Sequence, residues 1–93
     1  MVPVPTVYAE WYAKTEACLE VRGDFEAVRW FVADTVMVDG APKAGVLRFP
    51  DDVTMFAEFT AYETPVRHEM AHHIMQAGDE LHDARGWVPC QSG

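Results

Sequence analysis

Residues 64–78, TPVRHEMAHHIMQAG, constrain the chain more than any other stretch, because they ask one helix to carry an apolar stripe and three of the four histidines. Thr64 before Pro65 is a helix start, an N-cap oxygen followed by a residue whose missing N–H suits the first helical position. Gly78 is the expected stop. Advancing about 100° per residue from Val66, the side chains of Val66, Met70, Ile74 and Ala77 fall within an arc of about 80°. That face needs a sheet to lie on. On the same wheel His68 and His72 sit at about 200° and about 240°, on the far side from the apolar arc. Glu69 follows at about 300°, and His73 at about 340° lies on the margin of the apolar face. His68 and His72 therefore form a pair, and His73 belongs to the packing side.

The rest of the chain supplies the sheet and a second helix. Pro5 and Thr6 start a helix in which Tyr8, Trp11, Tyr12, Thr15, Cys18 and Leu19 recur at helical spacing, and Gly23 follows its end. Residues 28–33 are β-rich, and the run 36–38 continues them up to a turn at Asp39 and Gly40. Residues 45–49 are expected to return antiparallel. After a turn at Pro50, Asp51 and Asp52, the alternation of Val53, Met55, Ala57 and Phe59 with polar and outer residues predicts a third strand. The expectation is an α+β fold in one domain spanning residues 1–93: an N-terminal helix, a small three-stranded antiparallel sheet and the histidine-bearing C-terminal helix. Trp11, Trp30 and Trp87 read as core and rim aromatics.

At 93 residues and 49% hydrophobic content, this is one small folding unit rather than a disordered chain. A chain of this size hides roughly 60% of its unfolded surface, so a disulfide, a metal or a partner is a plausible supplement to its core. The net charge of -8, with seven scattered Lys and Arg, argues against a nucleic-acid partner. No apolar run reaches the length of a membrane span, and no segment reads as a signal peptide. Cys18 and Cys90 can close a loop of nearly the whole domain, worth roughly 4 kcal/mol in the loop-entropy account, or they can be two buried thiols. If they pair, the protein works outside the cytoplasm, secreted or periplasmic, and a chain starting at Met1, Val2 and Pro3 would be a mature form without its export signal.

The i, i+4 spacing of His68 and His72 lets two imidazoles reach one zinc ion, with Glu69 between them. HEMAH over residues 68–72 matches the HExxH motif, and by that motif the chain resembles the zincin metalloproteases. The resemblance implies Zn²⁺ as cofactor and a peptide or protein as substrate. It implies hydrolysis by metal-activated water with Glu69 as general base, and an edge strand, residues 53–59 in this reading, that pairs with extended substrate.

The third ligand departs from the best-known zincin patterns. Where metzincins place a glycine and then a further ligand, this chain has Met75 and Gly78, and it has no glutamate after Glu80 for a gluzincin-type ligand on a later helix. Asp79, Glu80, His82 and Asp83 remain, on chain that Gly78 can turn back toward the motif. His82 is favoured, because neutral imidazole is a common zinc ligand and Asp83 beside it can accept its other ring N–H. The order of helix, short sheet, HExxH helix, following histidine and C-terminal cysteine resembles very small bacterial zincin-like proteins of unassigned substrate. Arg67, Arg85, Tyr8, Tyr12 and Tyr62 are the candidates to stabilise an oxyanion.

Two functions follow from these residues. The first is a minimal zinc-dependent peptidase; the alternative is a non-catalytic zinc-binding domain that uses the metal for stability or partner binding. Structural zinc sites are closed by four protein ligands and favour cysteine, whereas three ligands beside a glutamate leave a position open. An interaction module without metal rests on the acidic surface alone.

Overall fold

In the computed structural model, which describes residues 3–78 and 88–91, two helices share one core with a small mixed sheet. Helix α1 (Val7–Leu19) ends where Glu20 adopts a left-handed conformation, φ 59°, and its N–H bonds back to Glu16 O. Of the stripe expected from spacing, Tyr8, Tyr12 and Thr15 are buried, Trp11 and Leu19 half-buried and Cys18 exposed. A 3₁₀ turn (Phe25–Ala27) then leads into β1 (Arg29–Ala33). Gly23 before that turn is a packing requirement, since a Cβ there would stand 2.1 Å from the Tyr12 hydroxyl.

The chain beyond β1 leaves the sheet. Strands β2 (Met37–Val38) and β3 (Ala41–Pro42) form a separate hairpin, closed by Asp39 and Gly40 with φ of 52° and 79°. Positive φ at both loop residues is the type I′ geometry whose twist suits a two-residue hairpin, so the expected turn stands. The hairpin stays short because Pro42 has no N–H for a ladder.

Strands β4 (Gly45–Arg48) and β5 (Asp52–Phe56) complete the main sheet, whose order is β1-β5-β4. β4 pairs antiparallel with β5, whereas β1 pairs parallel with β5, Trp30 opposite Val53 and Val32 opposite Met55. The expected all-antiparallel sheet is thus corrected to a mixed one. β4 does run against β1, but β5 lies between them. Val53 and Met55 are 0% and 1% exposed, so β5 has the inner face that gains most from the central position. β5 also ends at Phe56 rather than Phe59, because a 3₁₀ turn (Ala57–Phe59) redirects the chain toward the second helix.

Helix α2 (Glu63–Met75) carries the HExxH segment. It begins one residue before Thr64 and stops before Gly78, because Gln76 takes the left-handed C-cap, φ 49°, and donates to the carbonyls of His72 and His73. Val66, Met70 and Ile74 are buried as their spacing requires, in one core with Tyr8, Tyr12, Trp30 and β5. The helix is enclosed well beyond that stripe: Arg67, Ala71 and His73 are also buried, against α1 and the C-terminal 3₁₀ turn (Val88–Gln91). Among the described residues no helix is long and apolar enough to cross a membrane.

A disulfide joins Cys18 on α1 to Cys90, 72 residues apart in sequence. Closing a loop of that length restricts the unfolded chain by about 4 kcal/mol in the loop-entropy account. Cys18→Ser is expected to lower the urea midpoint of unfolding as much as a dithiol reductant lowers the parent's, with no further loss when reductant is added to the variant. A parent that unfolds identically with and without reductant excludes the bond as a source of stability.

Candidate functional site

Burial of Val66, Met70 and Ile74 against the sheet turns His68, Glu69 and His72 toward the β4 side of α2. There they line an open cleft of about 460 Å³ together with Val38, Lys43 and Leu47. The Nε2 atoms of His68 and His72 face each other at 3.3 Å, and Glu69 Oε2 lies 3.9 Å from His68 Nε2. The motif residues expected to act together are brought together.

The opposite ring nitrogens fix what the facing ones can do. His72 Nδ1 is 2.8 Å from Ala77 O, a carbonyl that can only accept, so the proton sits on Nδ1 and Nε2 carries a lone pair. Local chain geometry makes this contact: the left-handed Gln76 ends the helix, Ala77 N–H bonds to His72 O at 3.2 Å, and the Ala77 carbonyl turns back to the ring. His68 Nδ1 is 3.3 Å from the Gln91 side-chain amide, at its Oε1, and a carbonyl oxygen there accepts the Nδ1 proton. Two nitrogens bound to one tetrahedral zinc at about 2.05 Å stand about 3.3 Å apart. The spacing of this pair and the tautomer of His72 therefore fit two positions of a zinc site. Among the described residues no cluster of three or more His, Cys, Asp or Glu side chains is placed to hold a metal. His82, expected as the third ligand, lies outside the described residues, as do Asp79, Glu80 and Asp83.

Glu69 is 5% exposed, and its carboxyl is pushed up from 4.5 to about 7 by burial, opposed by the Leu47 backbone N–H. The ladder explains that neighbour. Phe56 N–H bonds to Ala44 O, so in the β4 to β5 register Val46 and Arg48 bond to β5 while Gly45 and Leu47 turn their backbone groups outward. Gly45 lets the strand come this close to the helix, because a Cβ there would lie 3.1 Å from Glu69 Cγ and 2.8 Å from Met55 Sδ. Among the described residues the sheet edge on the cleft is β4, a correction to the expectation that residues 53–59 serve as the edge strand, since β5 is covered on both sides.

His73 stands apart from the pair. It is 3% exposed, with Nδ1 2.8 Å from the Tyr12 hydroxyl and Nε2 2.8 Å from Asp51 Oδ1. Burial pushes the Tyr12 phenol well above its usual range, so Tyr12 keeps its proton and donates to Nδ1, and Nε2 donates to Asp51 Oδ1. The oxyanion candidates are committed elsewhere. Arg67 is 2% exposed and donates to Thr15 Oγ1, Glu63 Oε2 and Cys90 O; Tyr8 donates to Thr60 O; Tyr62 is 56% exposed and does not line the cleft. Arg85 and Trp87 lie outside the described residues. Lys43, which no motif marks, is the one Lys or Arg among the described lining residues. Comparison with protein families, curated proteins and solved structures finds no match for this chain.

The electrostatics of Glu69 set a pH dependence for the metal-free protein. Its folded value is above its unfolded one, so between about 4.5 and 7 the folded state holds a proton that the unfolded chain has released. Stability from this group is complete below pH 4.5 and is lost as pH rises to 7, on the order of 3 kcal/mol. Glu69→Gln removes the titrating group, so the variant is expected to gain stability over the parent progressively from pH 4.5 to pH 8. Urea unfolding of both metal-free proteins across that range checks it, and a constant difference assigns the burial effect to something other than the carboxyl.

Proposed function

We propose that this chain is a minimal zinc-dependent peptidase of the zincin type. His68 and His72 hold the ion through Nε2, His82 supplies the third ligand, and Glu69 is the general base. The observation that supports it is the facing pair of Nε2 atoms at 3.3 Å, with the Nε2 lone pair of His72 set by the Ala77 carbonyl on its Nδ1. Two imidazole nitrogens at this separation suit a shared cation, and zinc is among the ions that imidazole suits and the one the HExxH motif implies.

When bound, zinc supplies Lewis-acid activation of water and of the scissile carbonyl. Glu69, at the wall of the same cleft, takes the proton from the attacking water on its carboxylate and returns it to the departing amine nitrogen. The outward backbone groups of Gly45 and the Leu47 carbonyl on β4 give an extended peptide a strand edge to pair with, the Leu47 N–H being held by Glu69. The cleft is bounded by apolar Val38 and Leu47 and carries Lys43 at its side, so a peptide rather than a nucleic acid suits both the cleft and the net charge of -8. The Cys18–Cys90 bond supports a site of action outside the cytoplasm, secreted or periplasmic, where disulfides persist.

Metal analysis beside a general peptidase assay tests the reading. The parent and Glu69→Gln are expected to hold one zinc each, with turnover in the parent alone. His72→Ala and His82→Ala are expected to lose most of the metal, while His73→Ala keeps it and melts lower. Zinc in both parent and Glu69→Gln without turnover in either assigns the metal to stability or partner binding, and a zinc-free parent removes the metal altogether. If His82→Ala keeps full zinc and Asp79→Ala or Asp83→Ala loses it, the third ligand is a carboxylate.

A further inference from the structure

The C-terminal turn is held to the helices by two kinds of bond, and its last described residue reaches the site. Cys90 is tied covalently to Cys18 on α1, and its carbonyl accepts from Arg67 Nη2 at 2.7 Å. Arg67, buried in α2, is itself fixed by Thr15 Oγ1 at 2.8 Å and Glu63 Oε2 at 2.7 Å. The backbone of residue 90 is thus set relative to both helices. Gln91 follows directly, is 9% exposed, and places its Oε1 3.3 Å from His68 Nδ1.

We propose that Gln91 is a positioning residue for His68, delivered by the Cys18–Cys90 bond and the Arg67 clamp. Its amide carbonyl holds the imidazole proton on Nδ1 and so presents the Nε2 lone pair to the cleft. The two histidines of the motif are oriented by different means. His72 uses a carbonyl of its own helix end, a contact that forms whenever α2 forms. The orienting partner of His68 comes from 23 residues further along the chain, so it depends on the tertiary tether. An outer acceptor on a ligating imidazole selects its tautomer, restricts ring rotation and raises its basicity. The zinc affinity of the cleft is in this way linked to the disulfide. The inference rests on the proposed metal-binding role of the histidine pair.

The experiment uses the full chain with Gln91→Leu, Gln91→Glu and the double variant Cys18→Ser/Cys90→Ser. Zinc affinity is read by competition with a chromogenic chelator, and the His68 tautomer by ¹⁵N chemical shifts of the metal-free proteins. Gln91→Leu is expected to weaken zinc binding roughly 10- to 100-fold and to move His68 away from the Nδ1–H form. Gln91→Glu, whose carboxylate can only accept, is expected to keep the Nδ1–H form and the parent's affinity. The double cysteine variant is expected to lose affinity by a similar factor, and adding Gln91→Leu to it should cost little more.

A parent that binds zinc while Gln91→Leu binds it equally well overturns the positioning role. So does a Gln91→Glu variant as weak as Gln91→Leu, because then the amide N–H, not the carbonyl, faces the ring and His68 carries its proton on Nε2. Full affinity in the folded double cysteine variant overturns the tether. A parent that binds no zinc, yet shows the Nδ1–H form shifting in Gln91→Leu, locates the failure in the metal reading instead.

Discussion

The structure depends on enclosing α2 along most of its circumference while turning one strip toward the cleft. Val66, Met70 and Ile74 go to the sheet, Arg67 and Ala71 to α1 and the C-terminal turn, and His73 to Tyr12 and Asp51. A chain of 93 residues has few elements with which to do this. The sheet therefore covers one side with three short strands, and a single helix and a disulfide-tied turn cover the other. Among the described residues, the strip that faces the cleft holds His68, Glu69 and His72, of which Glu69 and His72 are themselves buried. Their convergence is a consequence of where everything else on the helix must go.

Such enclosure forces polar groups inward, and Arg67 and His73 are both answered, whereas the buried Trp30 Nε1 on β1 has no hydrogen-bond partner among the described residues. Arg67 would be costly as an isolated buried cation, but its Nε, Nη1 and Nη2 atoms each have an acceptor, one of them the carboxylate of Glu63. That Glu63 is one helical turn earlier makes the ion pair local, while Thr15 and Cys90 make the same guanidinium a tie between α1, α2 and the C-terminus. His73 plays a similar part on the other side, joining α1 through Tyr12 to the turn before β5 through Asp51. Both residues are packing elements that happen to be polar. Replacing either by alanine leaves its partners unsatisfied as well as opening a cavity.

Local signals in the sequence carried much of this. The helical stripes of α1 and α2, the turn at Asp39 and Gly40, and the buried Val53 and Met55 follow from periodicity and turn chemistry, which act over a few residues. The separation of His73 from His68 and His72 follows from the same angular argument. What spacing could not reveal was long-range. That β5 rather than β1 neighbours β4 depends on which strand has the more apolar inner face once the helices are laid down, and antiparallel direction alone does not choose a neighbour. Lys43 and Gln91 carry no motif, and only the approach of the hairpin and the pairing of Cys90 bring them to the cleft and to His68. Arg67, read from sequence as a possible anion binder, is consumed by burial, which a helical wheel with a single apolar stripe does not anticipate.

The position of β4 joins the fold to the chemistry of Glu69. An edge strand leaves alternate backbone groups without a neighbour, and here Gly45 and Leu47 are the residues so placed. The absence of a side chain at Gly45 brings that edge against the Glu69 stem, and Leu47 then offers its N–H to the carboxyl that burial has driven toward the protonated form. Burial alone would raise the carboxyl further; the strand edge opposes it and keeps it near neutrality. Had β4 taken the centre of the sheet, as a simple antiparallel meander would allow, the Leu47 N–H would be spent on a neighbouring strand. The cleft would lose its backbone edge, and Glu69 would lose the one dipole that tempers its burial.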